Sequence, residues 1–584
     1  MAAEHEHDHT RHEHIGSANQ RGREALGAWK ASQPENFFEA DNDLQRGVQR
    51  VVGAERYEAL RADLSEQGAA VAALEPLVGL LEHRLALPRL ERYDGIGNRT
   101  ESVVYDGRFD EVGRVLYGTG VVSRLKDPGV AVETLAIGYM NNQLGEAGHN
   151  CPIVCTMGAV RALQAAGSSE LRDRYLPGLL NRTYGQHLDA AQFMTEVQGG
   201  SDVGQNGVRA LHCGDGMYSI VGEKWFCSNA SAQVFLVTAR PDGGQAGTAG
   251  LSLFLVPRYL PWGPLNEFRI RRLKEKLGTR CMASGEIDFE GAFAWPIGPV
   301  EQGFKTMMNH VINTSRLYNA SGVLGMSRRA LTTAWTYAQH RVAFGQPIGR
   351  YPLVQETLAD MRAEHVALLH GHLHLGALRD RMELGQVDET EEGFFRVALN
   401  LNKYRTCVSA GAVIRSAIEI LGGNGAIETF SPLPRLLRDN VVYENWEGTH
   451  NTLTMQVLRD MQRLGVGRAF LGDIQRRFER LAGGPAAEFV PRAKAALTEL
   501  GGALRGLADT DPGLATLQMR PLVDRMAYLM AGCATVEHAA WEASQGNAEA
   551  LALARYFWRR RLAAPLSLAT AEELTEIASL ASAA

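Results

Sequence analysis

No stretch of this chain approaches the roughly 20 consecutive apolar residues that a membrane-spanning helix needs, and its N-terminus carries no apolar signal-peptide core. The expectation is therefore a protein without a membrane span, located in the cytoplasm. Cysteine is scarce and odd in number: seven residues, at 151, 155, 213, 227, 281, 407 and 533. Their scatter excludes a disulfide framework and points to a reducing compartment. Cys151 and Cys155 stand one helical turn apart, but no matching Cys or His pair accompanies them. They read as small buried hydrophobes, and no metal site is expected. Basic excess is missing as well. The net charge is -6 and the pI about 6.3, which argues against a large nucleic-acid footprint without excluding a local patch. Finally, no G-x-G-x-x-G joins a strand pattern to a helix, and there is no G-x-x-x-x-G-K-[ST]. Rossmann and P-loop nucleotide binding are unsupported.

What is present is ordinary globular material. The 584 residues are 45% hydrophobic and 22% charged, enough for three or four domains of roughly 150 residues each. The opening tract "EHEHDHTRHEH" holds His5, His7, His9, His12 and His14. It is able to chelate metal, but it has no apolar face to pack, so residues 1–35 are read as an unstructured tail. Over 36–190 the apolar residues recur every three or four positions, which predicts a helical domain. The period then changes. "MYSIVGEKWF", "AQVFLVTAR" and "LSLFLVPR" are short β-rich runs between Gly, Asp and Pro, and Ile287 and Phe289 alternate with Glu286, Asp288 and Glu290. Residues 191–300 are expected to form a β-domain.

Helical spacing returns over 301–465. Leu324, Leu331, Trp335 and Ala338 share one face, and Val354, Leu358, Met361, Leu368 and Leu375 share another. A bundle is expected there. "LAGGPAAEFVP" reads as a linker within a helical extension, residues 466–584. That extension carries the stripe Leu522, Met526, Leu529, Met530, Cys533, with Pro521 suited to a first helical turn. The fold class is α+β: helices, a β-domain, a bundle and a helical appendix.

Three stretches suit a large, flat, polar ligand. "FMTEVQGGSD" offers the hydroxyls of Thr195 and Ser201 beside a Gly-Gly that allows close backbone approach. "KWFCSN" offers the flat face of Trp225 and the hydroxyl of Ser228. Alone, the Gly-Gly reads more readily as a turn and the strand Trp as core. "EILGGNGAIETFSPLPRLLRDNVVYENWEGTHN" is far more specific, and it places Glu444 and Glu447 on either side of Trp446. Spacing alone does not say which carboxylate does chemistry.

Together these stretches resemble the acyl-CoA dehydrogenase family. "LGGNG", "RLLRD" and an aromatic followed by "EGT" occur in the family's order. So do the upstream "RVAFGQPI" from Arg341 to Ile348, and "MTE" with "GSD" before a Trp-containing strand. The resemblance runs from about residue 36 to 463. It implies N-terminal helices, a central β-domain and a C-terminal four-helix bundle, with bound FAD, in a homodimer or homotetramer. It also implies an acyl-CoA substrate and an electron-transfer flavoprotein or similar acceptor. The implied reaction is α,β-dehydrogenation: a carboxylate takes the Cα proton while Cβ passes hydride to flavin N5. The base is placed at Glu447, which leaves Glu444 as a solvated or cap-adjacent carboxylate. Cofactor contacts are implied for Thr195, Ser201, Trp225, Ser228, Gly422, Gly423, Thr449 and Asn451, and for Arg341 and Phe344 toward a neighbouring subunit. Substrate contacts are implied for Ser201, Arg316 and Trp446. For Trp446, core packing is the competing reading; for Arg316, a surface salt bridge. Some relatives carry their base just before an Arg; that position here is Ser315. Glu419 stands where many relatives have Gln.

The chemistry explains the demand on Glu447. An α C–H is a far weaker acid than a carboxylic acid, with its reference pKa of ~4.3 for Glu. Burial must raise the base, and hydrogen bonds, including one from Glu447 N–H, must stabilise the developing enolate oxygen. Within the family, "KWFCS", "CPI" at Cys151, "RYDG" at Arg92 and the Trp-Glu-Gly run resemble the bacterial alkylation-response (AidB-like) flavoproteins. Those keep FAD and the catalytic Glu, dehydrogenate weakly, and bind DNA through a basic C-terminal region. Arg555, Arg559, Arg560 and Arg561 are compatible with phosphate contacts. The acids around them, Glu542, Glu549, Glu572, Glu573 and Glu576, favour a solvated face or a subunit contact, so DNA is not the favoured partner.

Overall fold

The computed structural model describes residues 19–582. The histidine tract at residues 5–14 lies outside them. Residues 19–31 form a helix, α1, where an unstructured tail was expected through residue 35. The reason is Trp29. It is buried, stacks on Phe430 at 5.0 Å and meets Tyr337 edge-on at 5.3 Å. One large aromatic supplies the packing face that the flanking polar residues conceal.

The N-terminal domain continues with α2 (Asn42–Val52), α3 (Ala54–Ala72), α4 (Glu75–Leu81), a hairpin of β1 (Arg89–Tyr93) and β2 (Arg99–Val104), α5 (Gly107–Gly118), α6 (Ala131–Asn142), α7 (Ala147–Ala166) and α8 (Ser169–Leu179). The hairpin was not anticipated within a helical reading. "RYDG" spans the end of β1 and the start of the turn, and Arg92 donates to the backbone of Ile270 and Arg271, tying the hairpin to the β-domain.

The β-domain holds β3 (Ala190–Phe193), β4 (Arg209–Gly214), β5 (Met217–Ser228), β6 (Val234–Pro241), β7 (Ser252–Pro257), β8 (Phe268–Leu273) and β9 (Ser284–Pro296). The sheet runs β3-β6-β4-β5-β9-β7, and β7 pairs back onto β6, so the path closes on itself. Closure removes most free edges. Phe193, Phe235, Phe254, Phe268 and Phe289 fill the interior. Glu286, expected to face solvent, is buried and accepts from Lys274 at 2.6 Å and Arg272 at 2.8 Å. Paired cations let a carboxylate occupy an inward position.

The bundle begins with α9 (Gly303–Thr306), passes through a π-helical turn (Met307–Ile312) into α10 (Asn313–His340), and then makes a small hairpin of β10 (Val342–Ala343) and β11 (Gln346–Pro347). There follow α11 (Pro352–Glu383), α12 (Glu389–Leu421), α13 (Leu433–Asn445) and α14 (His450–Leu464). Asp388 and Glu391 form a capping box that starts α12. By length and composition the stretch from Glu389 to Ala426 could cross a membrane. Here it is the central bundle helix, packed by α10, α11 and α13. Trp335, expected on the core face of α10, is 44% exposed.

The extension consists of α15 (Val466–Glu479), α16 (Phe489–Gly506), α17 (Pro512–Ser544), α18 (Ala550–Arg561) and α19 (Ala571–Ser582). Helix α17 starts at Pro512, capped by Asp511, so Pro521 lies inside it rather than in its first turn. The expected stripe from Leu522 to Cys533 is buried, and it is continuous with the core of the bundle and the N-terminal domain. Arg555 pairs with Glu488 at 2.7 Å, Arg560 with Asp360 at 2.6 Å and Arg561 with Glu364 at 2.6 Å. These ion pairs lie on a solvated face, as expected: Arg555 is 50% and Arg560 41% exposed.

Candidate active site

Glu447 sits in the short link between α13 and α14. It has a left-handed backbone, φ 56°, and the next residue, Gly448, has φ 106°. A non-glycine in that region costs about 1–2 kcal/mol. Two buried cations hold it there. Lys403, at 0% exposure, reaches from α12 to donate to Glu444 O at 2.8 Å and Gly448 O at 2.9 Å. Arg316, on α10 just past the π-turn, donates to Glu447 O at 3.1 Å and to Asn400 Oδ1 at 2.8 Å. Hydrogen bonds from charged groups contribute about 1.5–3 kcal/mol each, so the staples outweigh the strain. π-turns of this kind recur at functional sites.

The Glu447 carboxylate accepts from Gln192 Nε2 at 2.9 Å, and the same amide lies 3.1 Å from Ser315 Oγ. Burial pushes its pKa up to about 7, against the opposing pull of Arg316, Lys403, Gln192 and Ser315. A carboxylate poised near neutrality is a competent general base. Among the described residues no carbonyl or side chain accepts from the Glu447 N–H, so that donor is available to a ligand oxygen. Burial also lowers Arg316, to about 10. Arg316 is thus an internal staple, not a surface ion pair.

Trp446 stands 4.6 Å from the Tyr443 ring and packs on Cys151, Cys155 and Met282. This patch is an apolar wall beside the base. The two cysteines are free and buried, as expected. Of the two readings of Glu444, the cap-adjacent one holds: it stands in the last turn of α13, half-buried rather than solvated, accepts from Asn440 Nδ2 at 2.7 Å, and burial raises its pKa. It faces the α12–α13 packing.

The expected cofactor residues fall into groups. Ser201 Oγ lies 3.1 Å from Thr452 Oγ1, which lies 3.0 Å from Thr449 Oγ1 at the N-cap of α14. Thr195 O accepts from Trp225 N at 2.9 Å, joining the other two stretches. The Trp225 ring has Lys274 Nζ 3.4 Å from its centroid. Ser228 pairs with Ser284 across β5 and β9. A Cβ added at Gly422 or Gly423 would meet nothing within 4 Å, whereas one at Gly425 would come 2.5 Å from Ile418 O. The first two glycines therefore leave an open surface, and the third serves packing. Asn451 Oδ1 accepts from Arg520 of α17. Arg341 and Phe344 lie on the β10–β11 hairpin; Phe344 is 97% exposed, and Tyr351 OH donates to its carbonyl at 3.0 Å. Among the described residues, no hydrogen bond or ring contact of that hairpin reaches the Glu447 cluster. Hydroxyls, an aromatic face and open glycines suit a flat polar dinucleotide. A cavity of about 850 Å³ lies elsewhere, among α2, α11, α17 and α18, and shares no lining residue with this site.

Gln192, Lys403 and Asn400 were not anticipated as site residues. For Gln192 the signal was a lone amide inside the apolar "AAQF"; the mixed run "ALNLNKYRTC" gave none for Asn400 and Lys403. Polar groups in buried elements need partners, and these partners are the site.

Comparison with known proteins identifies the domains. Residues 29–186 match the adaptive response protein AidB N-terminal domain, 191–292 the acyl-CoA dehydrogenase middle domain, and 301–462 the acyl-CoA dehydrogenase C-terminal domain. Over 438 residues the chain is 32% identical to acyl-CoA dehydrogenase family member 11 of Caenorhabditis elegans, covering 73% of this chain and 70% of that one. The chain belongs to the acyl-CoA dehydrogenase family. Within it, the putative acyl-CoA dehydrogenase AidB of Escherichia coli (strain K12) is 34% identical over 395 residues, 64% of this chain and 69% of that one. Among solved structures, Caenorhabditis elegans ACDH-11 in complex with C11-CoA aligns with TM-score 0.84 at 27% identity, covering 93% of this chain and 94% of that one. The three family domains end at residue 462, but that alignment covers too much of the chain to omit the extension. The extension is thus shared with a family member.

Proposed function

We propose that the chain is an FAD-dependent acyl-CoA dehydrogenase in which Glu447 removes the Cα proton of an acyl-CoA thioester. One observation carries this reading: a carboxylate raised to about 7 by burial, held by Gln192, beside an unsatisfied backbone donor. When bound, FAD supplies the electron-accepting ring. Residues of the chain do the rest. Glu447 Oε accepts the proton; its N–H binds the thioester oxygen and stabilises the enolate charge as it develops. Trp446, Cys151, Cys155 and Met282 keep water from the base and wall the acyl chain. Thr195, Ser201, Trp225, Ser228, Gly422, Gly423, Thr449 and Asn451 hold the cofactor. The exposed Arg341–Phe344 hairpin is read as reaching the cofactor of a neighbouring subunit in a homodimer or homotetramer. An electron-transfer flavoprotein or similar acceptor reoxidises the enzyme.

The test is Glu447→Gln. The variant is expected to purify yellow and to lose the bleaching that an acyl-CoA causes in the wild type under anaerobic conditions. Full bleaching in the variant refutes the assignment. The second reading, a DNA-associated protein of the alkylation response, is supported by the match of the N-terminal domain. The pairing of Arg555, Arg560 and Arg561 with carboxylates weighs against it. Salt-dependent duplex binding by the purified chain would support it.

A further inference from the structure

Arg520 links the extension to the N-terminal end of α14. Arg520, on α17, donates to Asn451 Oδ1 and, at 3.3 Å, to Tyr404 OH. Its guanidinium also lies 5.5 Å from the Tyr404 ring. Both partners are neutral. Among the described residues Arg520 has no carboxylate partner, although α17 and α18 spend most of their other cations on ion pairs. Asp524, one turn along, is taken up by Tyr404 OH at 2.9 Å and Arg405 at 3.0 Å. A half-buried cation without a carboxylate in direct contact therefore stands at the N-terminus of a 15-residue helix.

That end of α14 is already arranged for an anion. Thr449 caps it, and Thr452 and Ser201 add two more hydroxyls within 3.1 Å of one another. Helix N-termini carry a partial positive charge and free N–H groups. Burial first, then Lys403, Arg520 and Arg405, push His450 down to about 4, against the opposing pull of Asp524. Guanidinium plus helix N-terminus plus hydroxyls is the donor set that phosphate oxygens take.

We propose that Arg520 of the C-terminal extension anchors the diphosphate of a nucleotide bound at the N-terminus of α14. This rests on the cofactor reading above, which puts Thr449, Asn451 and Ser201 on the nucleotide. FAD and a CoA ester both carry a diphosphate, and the experiment separates them. The extension is then part of the nucleotide site, not only a structural appendage. Arg520 is also supplied by the same chain, unlike Arg341, which is read as serving a neighbouring subunit.

The full-length chain, stripped of flavin, is titrated with FAD by flavin fluorescence, and the flavin-loaded protein with an acyl-CoA by absorbance. Arg520→Gln is expected to weaken one affinity by about tenfold, or 1.4 kcal/mol, and to flatten its dependence on salt; Arg520→Lys falls between. Loss confined to FAD assigns the diphosphate to the cofactor, and loss confined to acyl-CoA assigns it to the substrate. Arg559→Gln, which removes a cation of the extension remote from α14, is expected to leave both affinities unchanged. Thermal midpoints of the stripped proteins report any loosening of the extension. If Arg520→Gln binds both molecules as tightly as the wild type, the proposal is wrong while the cofactor reading stands. A wild-type chain that takes up no FAD refutes the cofactor reading itself.

Discussion

Gln192 is the clearest lever on the base. Its amide donates to Glu447 Oε1 at 2.9 Å, and that bond favours the ionised carboxylate. A hydrogen bond to a charged group contributes about 1.5–3 kcal/mol. At 1.36 kcal/mol per pKa unit, complete loss would raise Glu447 by roughly 1–2 units. Water entering the space left by Gln192→Ala recovers part of this, so a rise of about 1 unit is expected. Starting from about 7, the variant would titrate near 8. At pH 7 the ionised fraction falls from about a half to about a tenth, a roughly fivefold loss in kcat/KM. Both profiles climb tenfold per pH unit on the acid side and converge above pH 9. The assay is kcat/KM for an acyl-CoA from pH 5.5 to 9.5 with an artificial electron acceptor. The reasoning fails if the wild-type break lies near 4.5, or if the variant's deficit persists undiminished at high pH.

Two further outcomes are expected. Gly423→Ala leaves thermal stability unchanged but weakens flavin retention, because its Cβ points into open space; Gly425→Ala lowers the melting temperature by forcing Ile418 O aside. Equal effects in both assays would contradict the division between binding and packing glycines. Stability is also expected to collapse in mild acid. His365, His370, His372 and His538 are buried, and burial lowers each: to about 3 for His365 and His372, to about 4 for His538, and well below 6.5 for His370. Folded pKa values below the unfolded ones mean that the unfolded chain takes up protons first. Stability is therefore full above about pH 6.5 and is lost as pH falls below it, by at most ~1.4 kcal/mol per histidine per unit. Urea midpoints at pH 7.5, 6.5 and 5.5 measure this. His370→Phe should flatten the slope by about one proton, since neither His370 nitrogen has a partner to lose; an unchanged slope would contradict the assignment.

The order of domains was legible because it rests on periodicity, which is local. The switch from three- and four-residue spacing to alternation near residue 191, and back near 303, marks where strands replace helices. The family motifs were equally local, and they singled out Glu447 before any geometry was known. Tertiary structure decided the rest, since burial and charge belong to no single segment. A lone tryptophan turned an expected tail into a helix by packing on Phe430 from the far side of the chain. The extension's arginines are ion-paired because carboxylates of α11 and α16 happen to face them. The Glu447 carboxylate is raised toward neutral pH because α10, α12 and β3 converge on a link four residues long, burying it while leaving one amide to hold it. Residue type determined which group could act as the base, and the fold around it determined the pH at which it can.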